Sequence, residues 1–216
     1  MTERSLSSKS FDFSGNDLDE LINLFSVPMH SHCQRVAICS AIIGGHVDKP
    51  LYPSGVSTRE KFEVLLHLGG TCHDVGKLLF PTIGPNAADY LQHPVMGAQL
   101  LEKYKDKLFS SEEQALMVIE IVRCHHEKPD GSGFPSGLCL RDIPLTAGIC
   151  AAADFLDHIA YPLENFAEYS GAVLKKIKKR TNKGFSENIG VLVGKAWPQL
   201  VAQYSHWNER LRPRRR

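Results

Sequence analysis

Side chains that bind transition metals are spread over more than half of this 216-residue chain, so they can act together only if the fold gathers them. The set combines five histidines and two aspartates, and consists of His32, His73, Asp74, His93, His125, His126 and Asp154. Imidazole and carboxylate ligands suit Fe, Mn, Zn or Ni. One carboxylate can bridge two ions, and paired ions are a recurrent device for in-line attack on phosphate esters. The sequence therefore predicts a fold that assembles a site for more than one metal ion.

The spacing of apolar residues predicts helices along the chain, with no convincing strand pattern and no internal repeat. Capping residues, prolines and glycines mark the breaks between these helices. The predicted helices cover residues 17–27, 31–43, 58–73, 94–104, 112–126, 144–159, 163–181 and 185–205, and residues 81–85 form a loop. We therefore expect an all-α fold, with a flexible N-terminal tail at residues 1–15, one helical domain at 16–205 and a basic tail at 206–216.

Each candidate ligand falls at the end of a predicted helix or on an apolar helix face. His93 precedes Pro94, and proline is tolerated in the first turn of a helix. Asp154 lies in an apolar run, where a buried carboxylate is costly unless it is paired or bound to a metal. His125 and His126 would point about 100° apart on a regular helix. A helix end or a pair of ions would allow both rings to contribute.

Composition argues against several other classes of protein. The net charge of +1 gives no overall field that would attract nucleic acid or a membrane surface. No run approaches the ~20 apolar residues that span a bilayer, and the first ten residues do not resemble a signal peptide. The six cysteines form no CxxC pair, and four of them, Cys39, Cys72, Cys124 and Cys150, lie in apolar segments typical of buried free thiols in a reducing compartment. We expect a cytoplasmic protein that binds neither membrane nor nucleic acid.

Several short motifs occur in one order along residues 30–160. They are His32-Cys33-Gln34-Arg35-Val36, Cys72-His73-Asp74-Val75-Gly76-Lys77, His93-Pro94-Val95-Met96-Gly97-Ala98, His125-His126-Glu127, Asp130-Gly131-Ser132-Gly133-Phe134-Pro135 and Asp154-Phe155-Leu156-Asp157. In this order they resemble the HD-GYP family of metal-dependent phosphodiesterases, a branch of the HD phosphohydrolases. Phe134 stands where that family usually has tyrosine. The resemblance implies the helical bundle of an HD domain.

The resemblance also implies roles for individual residues. The metal ligands would be His32, His73, Asp74, His93, His125, His126 and Asp154. Asp74 would bridge two divalent ions, most readily Fe or Mn, with Zn or Ni also compatible. Some members bind a third ion through a glutamate at the position of Pro28, so two ions are expected here. Lys77 would contact a substrate phosphate, and the implied reaction is hydrolysis of a bacterial cyclic dinucleotide, chiefly cyclic di-GMP, to a linear dinucleotide or mononucleotide.

Other functions stay open at this point. Many relatives carry an Arg-Pro-Tyr-Arg/Lys segment after the closing Asp-x-x-Asp, whereas Tyr161-Pro162 here is followed by no basic residue before Lys175. The chain could therefore act on another nucleotide or nucleoside phosphate, or sense cyclic dinucleotides with little or no turnover. Phe134 on its turn could stack on a purine or anchor a signalling partner at the Gly131–Pro135 loop. Lys77 could be a surface lysine, and His30 and His158 could donate hydrogen bonds to ligands.

Overall fold

The computed structural model describes residues 13–80, 90–161 and 163–211, and within them the fold is entirely helical. The eight α-helices are α1 (Leu18–Ile22), α2 (Val27–Gly44), α3 (Arg59–Cys72), α4 (His93–Leu108), α5 (Glu112–Cys124), α6 (Leu145–Ala160), α7 (Phe166–Arg180) and α8 (Glu187–Leu211). Three short 3-10 helices join them at Lys49–Leu51, Val75–Leu79 and Tyr90–Gln92. The described residues contain no β-strand, so the predicted all-α class is confirmed.

Helix α2 lies at the centre and packs against α3, α6 and α8, while α4 packs against α5. The buried face of α2 includes Cys33, Val36 and Ile43. At the crossing with α3, a Cβ added to Gly70 would lie 2.6 Å from the Cα of Ala37, so only glycine allows this approach. The close crossing brings the end of α3 alongside the first half of α2.

A second glycine brings the 3-10 helix Val75–Leu79 against the start of α4. A Cβ at Gly76 would collide with the carbonyl oxygen of His93 and lie 2.7 Å from the backbone nitrogen of Gly97. Both neighbours are backbone atoms, which cannot move aside as a flexible side chain could. The residues just before Gly76 are therefore held next to the N-terminus of α4.

The start of the helical region differs from the prediction. The predicted helix 17–27 is only α1, and Pro28 lies in the first turn of α2 instead of ending α1. Proline is accepted there because the first backbone N–H groups of a helix have no intrahelical partner. As a result α2 begins at Val27, before the predicted start at residue 31, and His32 lies well inside the helix.

Each predicted tail includes residues that the structure places in the folded part of the chain. Phe13 is buried, its ring meets Tyr104 edge-on at 5.6 Å, and its backbone N–H donates to the Tyr104 hydroxyl at 3.1 Å. Helix α8 continues past residue 205 to Leu211, because Trp207 packs against the core beside Tyr204. The rest of the predicted tails, at 1–12 and 212–216, and the predicted loop at 81–85 lie outside the described residues.

None of the helices in the described part of the chain combines the length and the hydropathy that crossing a bilayer requires. All six cysteines are free thiols, five of them buried and Cys139 exposed. Burial raises the pKa of the Cys72 thiol to about 12, so it stays protonated near neutral pH. The five buried thiols pack as small apolar groups.

Candidate metal centre

The residues predicted as ligands lie together in a histidine–aspartate cluster, formed by His32, His73, Asp74, His93, His125, His126 and Asp154. Five α-helices supply them, mostly at helix ends. His73 follows α3 directly and Asp74 precedes the next 3-10 helix, while His93 is the first residue of α4. The Gly70 contact holds the end of α3 against α2, and the Gly76 contact holds the residues that follow α3 against the start of α4. Together they bring ligands from three helices to one place.

Asp74 occupies the middle of the cluster. Its Oδ1 lies 3.3 Å from Nε2 of His93 and 3.9 Å from Nε2 of His125. Its Oδ2 lies 3.5 Å from Nε2 of His73 and 3.8 Å from Nε2 of His32. Each carboxylate oxygen thus faces a different pair of imidazoles, which is the arrangement a bridging carboxylate requires.

Asp154 completes one side of the cluster and the paired histidines complete the other. Asp154 Oδ1 lies 3.2 Å from Nε2 of His32 and 3.8 Å from Nε2 of His73. Helix α5 ends at Cys124, and the rings of His125 and His126 lie side by side with centroids 4.1 Å apart. The helix end removes the angular conflict that two adjacent histidines would have on a regular helix.

Backbone carbonyls fix the tautomer of three cluster histidines. In each, Nδ1 lies within hydrogen-bonding distance of the carbonyl three residues earlier: 2.7 Å from His73 to Gly70, 2.6 Å from His93 to Tyr90 and 2.7 Å from His125 to Val122. A carbonyl oxygen can only accept, so Nδ1 must carry the proton. With the proton of a neutral ring on Nδ1, Nε2 is an unprotonated ligand atom, and in all three residues Nε2 faces Asp74.

Unpartnered polar atoms test whether these residues suit a metal ion. Six buried side-chain N or O atoms of the described residues have no hydrogen-bond partner, and five belong to the cluster: His32 Nε2, His73 Nε2, Asp74 Oδ1, His126 Nε2 and Asp154 Oδ1. Buried polar groups without a partner are rare in native proteins and costly. Cations would satisfy these atoms, and the mixture of imidazole and carboxylate donors suits transition metals.

The electrostatic state of the cluster also favours cations. Burial lowers the pKa of His73, His125 and His126, and that of His126 reaches about 4, so these rings are neutral at pH 7. Burial alone would raise the pKa of Asp74, but His73 and Lys77 outweigh it and hold that pKa well below its usual range. Three imidazoles of the cluster are therefore neutral and lie beside an ionised Asp74 carboxylate, which is the protonation state in which these groups bind metal.

His32 is oriented by a carboxylate outside the cluster. Its Nδ1 lies 2.7 Å from Oδ2 of Asp157. That oxygen also accepts from Nη2 of Arg35, while Oδ1 accepts from Nε of Arg35 and from the Tyr204 hydroxyl. Burial lowers the pKa of His32, but the Asp154 and Asp157 carboxylates raise it further, to about 9. Asp157 thus fixes one ring of the cluster and is itself held by α2 and α8.

The sequence assigns Asp157 to the closing Asp-x-x-Asp motif as a residue that supports a ligand or caps a helix, and it gives no sign of Tyr204 as its partner. Arg35 could have been found, since it follows His32 by three residues and shares its helix face. Tyr204 lies 47 residues after Asp157, and no local pattern connects them. Its hydroxyl also lies 3.8 Å from Sγ of Cys39.

Lys77 and Phe134, the predicted substrate contacts, both lie beside the cluster. Lys77 Nζ lies 2.5 Å from Asp74 Oδ2, and its side chain is partly buried. The half-buried Phe134 ring has its centroid 4.6 Å from that of His126 and 6.3 Å from that of His93. Lys77 is therefore not a solvated surface lysine, and Phe134 faces the cluster from the loop.

Glu127 holds this loop in place. Its two carboxylate oxygens accept from the backbone N–H groups of Ser136 at 2.7 Å and Leu138 at 2.8 Å. The side chain is buried although it is acidic, and these two bonds offset the cost. Glu127 therefore folds the Gly131–Pro135 segment back towards the end of α5.

A pocket of about 280 Å³ opens on the cluster, with His126 and Asp154 in its wall. Lys77, Lys128 and Arg180 add positive charge to the wall, and Phe155 and Phe185 add aromatic surface. His158 lies at the rim, where its Nδ1 is 2.9 Å from the backbone carbonyl oxygen of Asp154 and 3.1 Å from Oδ1 of the same residue. The wall shares four residues with a neighbouring groove of about 730 Å³, namely Glu127, Ala151, Gly184 and Phe185.

Comparison with known proteins agrees with this geometry. The HD domain family matches residues 29–159, which contain the whole cluster. A cyclic di-GMP phosphodiesterase of Thermotoga maritima is 28% identical over 151 residues, or 64% of this chain and 37% of that protein. A 3'3'-cGAMP-specific phosphodiesterase of Vibrio cholerae is 36% identical over 178 residues, or 80% of this chain and 32% of that protein. The chain spans about one third of the length of these curated relatives.

Proposed function

Because this chain belongs to the HD domain family and is of its HD-GYP type, we propose that it is a metal-dependent phosphodiesterase acting on a bacterial cyclic dinucleotide. Cyclic di-GMP is the expected substrate, and a linear dinucleotide or mononucleotide is the product. The position of Asp74 carries the proposal, since its two oxygens face different histidine pairs. This arrangement favours two ions at one carboxylate, and paired ions serve phosphate ester hydrolysis.

We propose that two divalent ions, Fe or Mn in the first place and Zn or Ni as alternatives, occupy the cluster. One would be held by His93, His125, His126 and Asp74, and the other by His32, His73, Asp154 and the same Asp74. The buried unpartnered atoms on both sides of Asp74 support this division. Pro28 offers no donor atom for a third ion, which supports a count of two.

The bound ions would activate a water molecule and offset the negative charge that develops at phosphorus. The protein's own residues would position the substrate. Lys77 lies at the edge of the pocket, where its ammonium group can reach from Asp74 to a phosphate oxygen. Phe134 presents its ring beside His126, where a purine can stack.

Metal analysis and product analysis of one preparation test the proposal. Protein loaded anaerobically with Fe(II), or with Mn(II), is expected to contain two ions per chain and to convert cyclic di-GMP to linear products. Parallel incubation with 3'3'-cGAMP measures the guanine or adenine preference, which is pertinent because a relative is named for that substrate.

Two other results would replace the proposal. If protein with its full metal content hydrolyses neither cyclic dinucleotide but does hydrolyse a nucleoside monophosphate or triphosphate, it is a different HD phosphohydrolase. Tight binding of a cyclic dinucleotide without turnover would indicate a sensor. A signalling partner at the Gly131–Pro135 loop and a cytoplasmic location stay predictions.

A further inference from the structure

Arg180 is a cation from late in the chain that lies in the wall of the pocket leading to the cluster. It is the last residue of α7 and its side chain is exposed. The same wall contains His126 and Asp154 of the cluster. Arg180 lies beyond residues 29–159, the segment that the HD domain family matches. Its place at the pocket is therefore a property of the α7 packing in this chain.

The backbone of Arg180 is held by the turn that follows α7. Its carbonyl oxygen accepts from the N–H groups of Lys183 at 3.0 Å and Gly184 at 2.7 Å. Asn182 has a positive φ of 64°, and its N–H donates to the carbonyl of Phe185 at 2.8 Å. This turn places Arg180 and the buried Phe185 on the same pocket wall.

The side chain of Arg180 is also supported. Its guanidinium carbon lies 4.8 Å from the ring centroid of Phe155, the residue directly after Asp154. The Phe155 and Phe185 rings have centroids 6.4 Å apart. A guanidinium resting on an aromatic face gains cation–π attraction and loses less freedom when it binds an anion.

No carboxylate of the described residues forms an ion pair with Arg180, although acidic groups are present nearby. Glu127 is bound to backbone N–H groups of its loop, and Asp154 faces His32 and His158. Lys77, in contrast, is paired with Asp74. The guanidinium of Arg180 is therefore available for two parallel hydrogen bonds to a phosphate group.

We propose that Arg180 binds the second phosphate of a cyclic dinucleotide while the first phosphate lies at the metal centre. The proposal rests on the function proposed for the cluster. A cyclic dinucleotide carries two phosphodiesters on opposite sides of its ring, so the second one must lie outside the metal centre. The pocket has space in that direction, because Gly184 and Phe185 belong to both the pocket and the larger groove.

The test compares Arg180→Gln with Lys179→Gln, which removes an exposed neighbouring charge that does not line the pocket. Steady-state kinetics are measured with cyclic di-GMP and with bis(4-nitrophenyl) phosphate, which has a single phosphate. Arg180→Gln is expected to raise KM for cyclic di-GMP by about tenfold or more, the loss of one charge-assisted contact, with little change in kcat. Hydrolysis of the small diester, metal content and thermal stability should be unchanged, and Arg180→Lys should recover part of the affinity.

Each other outcome has a distinct meaning. An unchanged KM for cyclic di-GMP in Arg180→Gln would overturn the phosphate contact alone. Equal losses on both substrates, or a loss of metal, would mean that Arg180 supports the fold instead of the substrate. A wild-type protein with two ions that hydrolyses the small diester but neither cyclic dinucleotide would overturn the proposed function and the subsite with it.

Discussion

The cluster and the outer pocket wall come from different parts of the chain and are held in different ways. Residues 32–154 supply every cluster side chain, and three of the rings are locked by carbonyls only three residues away. The outer wall depends on Arg180 and Phe185, which reach the pocket only because α7 and its turn pack where they do. Local hydrogen bonds therefore orient three of the histidine rings, whereas packing between helices positions the surface that would contact the rest of a substrate.

This difference predicts that variants of the cluster affect all substrates, whereas variants of the outer wall affect only large ones. Asp74→Ala should give the largest effect. Both ions are expected to be lost, because both proposed sites use this carboxylate, and activity should fall by about a thousandfold or more, since metal ions supply several kcal/mol of transition-state stabilisation. Elemental analysis measures the metal content, and turnover of cyclic di-GMP and of bis(4-nitrophenyl) phosphate measures the activity.

Asp106→Ala is the matched control for that variant, because it removes an exposed carboxylate from α4. It should behave as the wild type in both measurements. Full metal occupancy in Asp74→Ala would contradict the bridging role and require another residue at the centre of the cluster.

Asp157→Asn tests how far the cluster itself depends on contacts between distant segments. Loss of the charge that orients His32 is expected to weaken metal binding by about 10- to 100-fold, the usual effect of removing a partner of a ligand. The variant should also lose about 3 kcal/mol of unfolding free energy, because the buried Arg35 keeps its charge without an ionised partner. Chelator competition and urea unfolding measure the two effects separately.

Tyr204→Phe separates the stability of this network from metal binding. It removes one hydroxyl donor to Asp157 and leaves the His32 contact in place. A loss of about 1 kcal/mol of unfolding free energy is expected, with metal affinity close to that of the wild type. If the two variants weaken metal binding equally, Asp157 acts through general packing instead of through His32.

Lys77→Ala should have a smaller effect, but like a variant of the cluster it should lower activity on both substrates. Both ions are expected to remain, while kcat/KM falls by about tenfold or more on both substrates, because one charge-assisted contact to the reacting phosphate is lost. Lys61→Ala, an exposed lysine on α3, is the control. A fall in kcat/KM for cyclic di-GMP alone would mean that Lys77 contacts the outer part of the substrate and not the reacting phosphate.

Phe134→Ala should give the smallest change. Activity on cyclic di-GMP is expected to fall by about three- to tenfold, the magnitude of an aromatic stacking contact, while the small diester is hydrolysed as before. Phe134→Tyr keeps the ring and should keep the activity. Unchanged kinetics together with failure to capture a signalling partner in a pull-down would instead assign the loop to that partner.

Much of this molecule could be predicted from residues that are close in the chain. The sequence predicts helix caps at Ser57 or Thr58 and at Ser110 or Ser111, and in the structure Thr58 and Ser111 each accept from the N–H three residues on, at 3.2 Å. The cluster could be predicted because its members are recognisable types at helix ends. These features are local, since a cap or a short motif depends on a few neighbouring residues.

The features that sequence reasoning missed depend on packing between distant segments. Phe13 was placed in a tail because nothing near it predicts the contact with Tyr104, 91 residues away. The sequence lacks a basic segment soon after Asp157, and only the fold places Arg180 at the same pocket. Apolar periodicity indicates that α7 and α8 are helices but does not tell which pocket their ends reach.

The bond between Tyr204 and Asp157 sets a practical limit on how far this protein can be shortened. A fragment ending with the family match at residue 159 would keep every ligand yet lose the hydroxyl that helps to hold Asp157, and Phe166, which packs on the Tyr204 ring at 4.7 Å. It would also expose the face of α2 that α8 covers. The smallest stable piece of this chain is therefore expected to include α8, which lies well beyond the family match that ends at residue 159.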